Sequence, residues 1–250
     1  MFKTAFLQQL GNGQLRVEES LLRSEFERRG IPITLYTMKR ILRRDLPISP
    51  QTFIAGDMDA MHGAMRQIGI PVPEPNDYPQ CLLSYLHRKI WKSTLKEIEQ
   101  GFLAENISFM FVKPADRRKN FTGKVFSSYE DFWHLGNISR RQEVWCAEVV
   151  KWRSEFRVYV IDNKIVSVDN YAGDLNSKID QTVVESALFA YRNSGEAPAA
   201  YGIDFGVLES GETALVEAND GYALGAYTIQ AQPYTDLLIR RWEELLALST

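Results

Sequence analysis

The 250-residue chain is 45% hydrophobic and 24% charged with a net charge of −3, the makeup of a globular protein long enough for one large domain or two modest ones. That mild acidity argues against a general nucleic-acid binder, and no run reaches the ~18 apolar residues needed to cross a bilayer. Cys81 and Cys146 lie far apart, His62, His87 and His134 form no zinc-like cluster, and the opening MFKTAFLQQLGNG lacks a signal-like apolar core, so the expectation is a soluble, cytoplasmic protein without zinc or membrane contact.

In chain order, TAFLQQL predicts a strand. RVEESLLRSEFERRG predicts a helix with Val17, Leu21, Leu22 and Phe26 on one face and a stop at Gly30. IPITLYTM and TFIAGD read as strands, and MDAMHGAMRQIG as a helix ending at Gly69. Alternating strands and helices predict a small α/β unit with a parallel sheet. IPVPEPNDYP has four prolines in ten residues, which no helix interior or central strand tolerates, and marks a boundary.

QCLLSYLHRKIWKSTLKEIEQG predicts one long amphipathic helix with room for a single break. ISFMFVKPAD is a strand stopped by Pro114, RRKNFTGKVFSS a basic loop closing on another strand, and SYEDFWHLG a short helix. EVWCAEVVKW, SEFRVYVID and KIVSVDNYAG are strand-like, and SKIDQTVVESALFAYRNSG is helical. YGIDFGVLESGETALVEAND predicts a hairpin turning at Ser210-Gly211, and YTDLLIRRWEELLAL a closing helix. The whole is an α+β pattern, its strands mostly antiparallel after residue 100.

The chemistry-bearing residues gather on the hairpin. Asp204 lies on its first strand, and Glu217 and Asn219 on its second, two apart and therefore on one face. Three converging oxygen ligands suit magnesium; the same residues also read as a strand end running into an ordinary Asn-Asp-Gly turn. A magnesium site of this type implies a phosphate ligand and hence cations. Lys113 closes an apolar strand, where it reads as a phosphate contact or a snorkelling surface lysine. Arg117, Arg118, Lys119 and Lys124 surround Gly123 in a basic loop that is not a P-loop. Glu155 and Arg157 share a strand face, as an ion pair or as ligand contacts. Asp57 and Asp59 read first as a helix cap and second as lining of the substrate side, and Tyr171 and Asp174 as groups able to reach an acceptor.

The succession FVKPA, NFTGKVF, AEVVKWRSEFRVYVI and GIDFGV…LVEANDGYALG resembles the ATP-grasp superfamily, and is most similar to the clade named for one arginine and two lysines. The resemblance covers residues from about 80 to 245. It implies an ATP-grasp fold of two α+β subdomains with antiparallel sheets, about 76–147 and 148–250, preceded by a small α/β pre-ATP-grasp domain at 1–75. Carried over by position, Lys113 would contact nucleotide phosphates and Lys124 would sit in a flap above them. Glu148 would open the linker whose Val149, Val150 and Lys151 backbone faces adenine. Glu155 would bind ribose, and Arg157 the phosphates or an acyl phosphate. Asp204, Glu217 and Asn219 would hold Mg2+. Arg88 would be the first nucleotide cation, with Lys89 and Lys92 as rivals. DGYALGAY stands where relatives carry a proline-glycine substrate loop, which leaves the acceptor site open.

The implied activity is an ATP- and Mg-dependent, ADP-forming carboxylate–amine ligase working through an acyl phosphate. It would join an amino acid to a peptide, protein or small molecule; a homodimer is left open. The alternatives are a phosphotransferase of the same fold and a non-catalytic nucleotide-binding module.

Overall fold

The computed structural model describes residues 2–116 and 121–248, which form two compact units: Met1–Tyr85 with Arg153–Thr250, and Leu86–Trp152. Among the described residues no helix is long and apolar enough to cross a membrane.

In the larger unit, β1 (Thr4–Gln8), β2 (Ile33–Tyr36) and β3 (Thr52–Ala55) make a parallel sheet in the order β2-β1-β3. β3 is buried at every position and β1 at all but its first, as a sheet covered by helices requires. The connections run through α1 (Val17–Arg28) and α2 (Met38–Arg43), and α3 (Met58–Gln67) follows β3. The sequence pattern gives no sign of α2, a single six-residue helix ended by Arg44 in the left-handed region. Asp57 caps α3 by accepting from the Ala60 N–H, as its sequence position suggests.

The same unit holds an antiparallel sheet in the order β11-β10-β8-β9, built from β8 (Trp152–Ile161), β9 (Lys164–Gly173), β10 (Ala200–Leu208) and β11 (Thr213–Asp220). The helix α5 (Gln181–Ser194) packs on it through Tyr191 against Tyr201. The closing helix α6 (Ala231–Ala247) buries Leu237, Leu238, Trp242 and Leu245 in the same core as Leu22 and Phe26 of α1. Trp242 also donates its indole N–H to the Thr52 carbonyl. Residues near both ends of the chain thus share one apolar core, which fixes α1 beside the elements that carry the candidate site.

Glu25 of α1 is buried and accepts from Arg28 and Arg29, while Arg29 also donates to Asp236 of α6. The Arg28 hydrogen bond, helped by Arg29 and opposed by burial, holds the Glu25 carboxyl down at about 2. A carboxyl held below its unfolded value of about 4.3 adds stability above that pH and loses it as the pH falls toward the folded value. Glu25→Gln is expected to lower stability by about 1 kcal/mol at neutral pH. In thermal melts the deficit against wild type should shrink as the pH falls through about 4 toward 2.

The smaller unit is an antiparallel sheet in the order β4-β7-β5-β6, from β4 (Ile90–Thr94), β5 (Met110–Pro114), β6 (Lys124–Phe126) and β7 (Glu143–Ala147). One face is closed by α4 (Leu95–Leu103) and the 3-10 turns of Tyr129–Leu135, around Ile98, Phe102, Val112, Phe126, Phe132 and Val144. The long helix expected over residues 80–101 is instead a 3-10 segment, Gln80–Tyr85, then β4, then α4. Thr94 explains the split. Its hydroxyl accepts from the Glu97 N–H and Glu97 accepts from the Thr94 N–H, a capping box that starts a helix there and leaves Ile90–Thr94 to pair with β7.

Candidate functional site

Strand β10 is buried throughout, and Asp204 is only 2% exposed. The β10–β11 hairpin begins in plain register, with Val207 opposite Thr213 and Phe205 opposite Leu215. Val216 is then an extra residue. The bulge it makes brings Glu217 opposite Asp204 and Asn219 opposite Gly202. Directly opposed residues share a face, so Asp204, Glu217 and Asn219 stand together.

The neighbouring strand β8 adds Glu155 and Arg157. Arg157 donates from Nε to Asp204 Oδ1 at 2.8 Å and from Nη2 to Oδ2 at 2.7 Å, a two-point pair that is buried on both sides. Asn219 donates to the same Oδ2 at 3.3 Å, and Arg157 Nη1 donates to the Gly225 carbonyl. Gly202 makes room for this reach: a Cβ there would lie 2.8 Å from the Leu224 side chain and 3.4 Å from the Arg157 stem.

The two ends of this pair answer to different forces. Burial, reinforced by Glu217 and Glu155, raises the Asp204 carboxyl to about 6 against the downward pull of Arg157. Burial works against the Arg157 charge, yet the Asp204 contacts prevail and raise it further. Since a guanidinium stays protonated at any accessible pH, the pair is ionised at neutrality.

After β11 the chain folds back over this face, and side chains from four elements hold it. Tyr234 of α6 donates to the Leu224 carbonyl, and Tyr159 of β8 donates to that of Gly225. The Ala226 N–H donates to Glu18 of α1, and the Tyr227 N–H to the Tyr159 hydroxyl. The Thr228 and Ile229 N–H groups both donate to Asp169 of β9 at 2.7 Å. The loop so fixed lays the Tyr227 ring over the Arg157 guanidinium, 5.0 Å away, and parallel to Tyr171 at 4.6 Å. Tyr171 in turn donates to Glu155. Sequence reasoning points to Tyr171 but misses Tyr227, Asp169, Tyr159 and Glu18, because nothing local marks a side chain whose partner lies tens of residues away. Asp174 turns to Asn176 and Ser177.

In the smaller unit Lys113 stands opposite Trp145 on one side and Lys92 opposite Trp145 on the other, so Lys92, Trp145 and Lys113 form a row across β4, β7 and β5. Lys92 lies over the Trp145 ring at 4.9 Å. The row is on the face away from the apolar core, which takes Val112, Val144 and Cys146. Gly123 lies beside it, and a Cβ there would come within 2.9 Å of the Lys113 Cβ.

Arg88 precedes β4, stacks over Trp152 and donates to the Leu86 carbonyl, so Lys92 rather than Arg88 shares a face with Lys113. Lys124, expected above the phosphates, pairs in register with Val112 and therefore points to the opposite, core-covered face, where its ammonium meets Asp131. The odd–even alternation of a strand forces that outcome. Glu148 accepts from the Lys89 N–H at the head of the 148–151 linker, where Val149 and Val150 are half-buried and Lys151 exposed. Arg117, Arg118 and Lys119 of the basic loop lie outside the described residues.

Among the described residues no three His, Cys, Asp or Glu side chains are grouped for a metal; the hairpin set is two carboxylates and an amide. Those hard oxygen donors suit Mg2+, which keeps waters and takes its remaining ligands from substrate. The repulsion of Asp204 by Glu217 and Glu155 is also what a divalent cation relieves. The residues therefore fit such an ion.

Residues 85–237 match the family model for the ATP-grasp domain of the arginine-and-two-lysines clade, family 2. A search of curated proteins finds no match. Among solved structures, the chain is similar to D-alanine–D-alanine ligase from Bacillus anthracis, with 14% identity, a TM-score of 0.58 and 99% of each chain covered. It is also similar to the ATP-grasp ligase PsnB complexed with a phosphomimetic variant of a minimal precursor, Mg and ADP, with 13% identity, a TM-score of 0.53, and 96% of this chain and 99% of that one covered. The macrocyclase MdnC of Microcystis aeruginosa MRC, bound with its precursor peptide MdnA, has 11% identity and a TM-score of 0.53 over 94% of this chain and 99% of that one.

Proposed function

Because the chain belongs to family 2 of the arginine-and-two-lysines clade of ATP-grasp domains, and has the ATP-grasp fold, we propose that it is an ATP-dependent ligase that joins a carboxylate to an amine with release of ADP. The observation that carries this reading is the gathering of Glu155, Arg157, Asp204, Glu217 and Asn219 on one face of the β8–β11 sheet. A peptide or amino acid is the substrate class we favour, since PsnB and MdnC were solved with precursor peptides.

In the proposed reaction an oxygen of the substrate carboxylate attacks the γ-phosphorus of ATP and ADP leaves, giving an acyl phosphate. The amine then adds to the acyl carbon, loses a proton and expels phosphate. Lys92 and Lys113 would hold nucleotide phosphates, and Arg157 would stabilise charge on the transferring group. Glu155 would take the ribose hydroxyls once Tyr171 yields its hydrogen bond, and the 148–151 backbone would face adenine. Glu217, Asn219 and Asp204 would hold Mg2+, which would offset phosphate charge when bound. The fixed loop at 224–229 would bound the acceptor side, with Glu18 and Tyr227 at its rim. No nucleophilic side chain is needed, because the substrates supply both reacting groups.

The test is product release from Mg-ATP with pooled amino acids and peptides. ADP and phosphate are expected in equal amounts, and only when a carboxylate and an amine are both present. Release of AMP would indicate adenylation instead, and ADP without free phosphate would indicate a phosphotransferase.

A further inference from the structure

We infer that Arg157 occupies the cation site until an anion draws it away, so that divalent cation and phosphate-bearing ligand each raise the other's affinity. The inference rests on reading Asp204, Glu217 and Asn219 as the cation ligands. Both Asp204 oxygens are already engaged, Oδ1 by Arg157 Nε and Oδ2 by Arg157 Nη2 and Asn219 Nδ2. Three of the carboxylate's roughly four lone-pair positions are thus taken by N–H donors, which leaves a metal a single poor approach.

Arg157 cannot swing out on its own account. Its guanidinium also donates to the Gly225 carbonyl and lies under the Tyr227 ring, in a loop whose backbone is tied to Tyr159, Tyr234, Glu18 and Asp169. Its side chain is only 9% exposed. A buried guanidinium leaves a carboxylate only for another oxyanion, and a phosphate oxygen offers it the same two-point geometry. An incoming phosphate would therefore free Asp204 and bring fresh oxygen ligands, while a cation alone meets a carboxylate with three of its roughly four positions taken. By linkage the dependence is mutual: the cation, by taking Asp204, raises affinity for the anion by the same factor.

The probes are Mn2+ alone and Mn2+ with the non-hydrolysable nucleotide AMPPNP, read as protein-bound Mn2+ by water proton relaxation with the Mn–AMPPNP signal subtracted. Wild type is expected to bind Mn2+ alone at least about tenfold more weakly than with AMPPNP present. Equal affinity in the two conditions would overturn the inference while leaving the ligase reading in place. Protein-bound Mn2+ in neither condition would remove the ligase reading and this inference together.

Nucleotide oxygens would raise Mn2+ affinity at any site, so the discriminating arm is Arg157→Gln. With the guanidinium gone, Mn2+ alone should bind about tenfold more tightly than to wild type. Unchanged or weaker binding to the folded variant would overturn the inference. Should that variant not fold, the Arg157 Nε–H resonance of wild type gives a second measurement. It is expected to stay in place under Mg2+ alone and to shift when AMPPNP is added with Mg2+; a full shift under Mg2+ alone would refute the coupling.

Discussion

Glu217→Ala is expected to reduce ADP release by at least about 100-fold while the protein stays folded. Of the three proposed cation ligands, two belong to the hydrogen-bonded set around Arg157, so removing either also disturbs a buried charge. Asp204 is engaged by Arg157, and Asn219 donates to Asp204. Glu217 acts on Asp204 by repulsion, one of the forces that raise its carboxyl. Deleting it relieves that repulsion and withdraws a charged oxygen from the cation. Loss of turnover in a variant that still melts cooperatively is the signature to look for in parallel ADP assays and thermal melts. Retained turnover in a folded variant would remove the cation assignment.

The largest effect on stability is expected at Arg157. Replacing it with alanine leaves the Asp204 carboxylate buried without its charge partner, a change that costs about 3–5 kcal/mol when one member of a buried pair is removed. Adding Asp204→Asn to Arg157→Ala should recover much of that loss, because the group left behind is then neutral. The double variant should melt above Arg157→Ala, and urea unfolding of the four proteins in the cycle gives the coupling directly. Mn2+ should raise the melting temperature of Arg157→Gln more than that of wild type, since in the variant the carboxylate is open to the ion. If the single and double variants lose stability additively, the pair is not the coupled unit described here.

The carboxylate cluster is legible in the amino-acid order because it depends on a local rule. Residues two apart on a strand share a face, and Glu217 and Asn219 obey it. Their alignment with Asp204 is legible only in outline. A hairpin bisected at Ser210-Gly211 puts Glu217 opposite Asp204 by symmetry, yet the actual register near the turn is one residue shorter, and the bulge at Val216 restores the pairing. Lys124 shows the converse. Its place in a basic loop suggests a flap, but pairing with Val112 turns it to the covered face of the small sheet. Lys92 is one of several basic candidates until pairing with β7 puts it in line with Trp145 and Lys113.

What the amino-acid order alone determined is therefore the set of elements whose signals are short-range: the alternating strands, the cap at Asp57, the hairpin turn, and an α+β chain with acidic oxygens at one strand exit. Each depends on interactions within a few residues, so each is written in a contiguous stretch. The tertiary structure alone decided that Arg157 closes on Asp204, that Asp169, Tyr159, Tyr234 and Glu18 set the loop carrying Tyr227, and that residues from both ends of the chain share one core. Apart from the Tyr234–Leu224 bond, which spans ten residues, those contacts join residues tens to hundreds of positions apart. Their energy comes from burial and from charge pairing across strands, and no local propensity foreshadows which distant side chain will fill a given space.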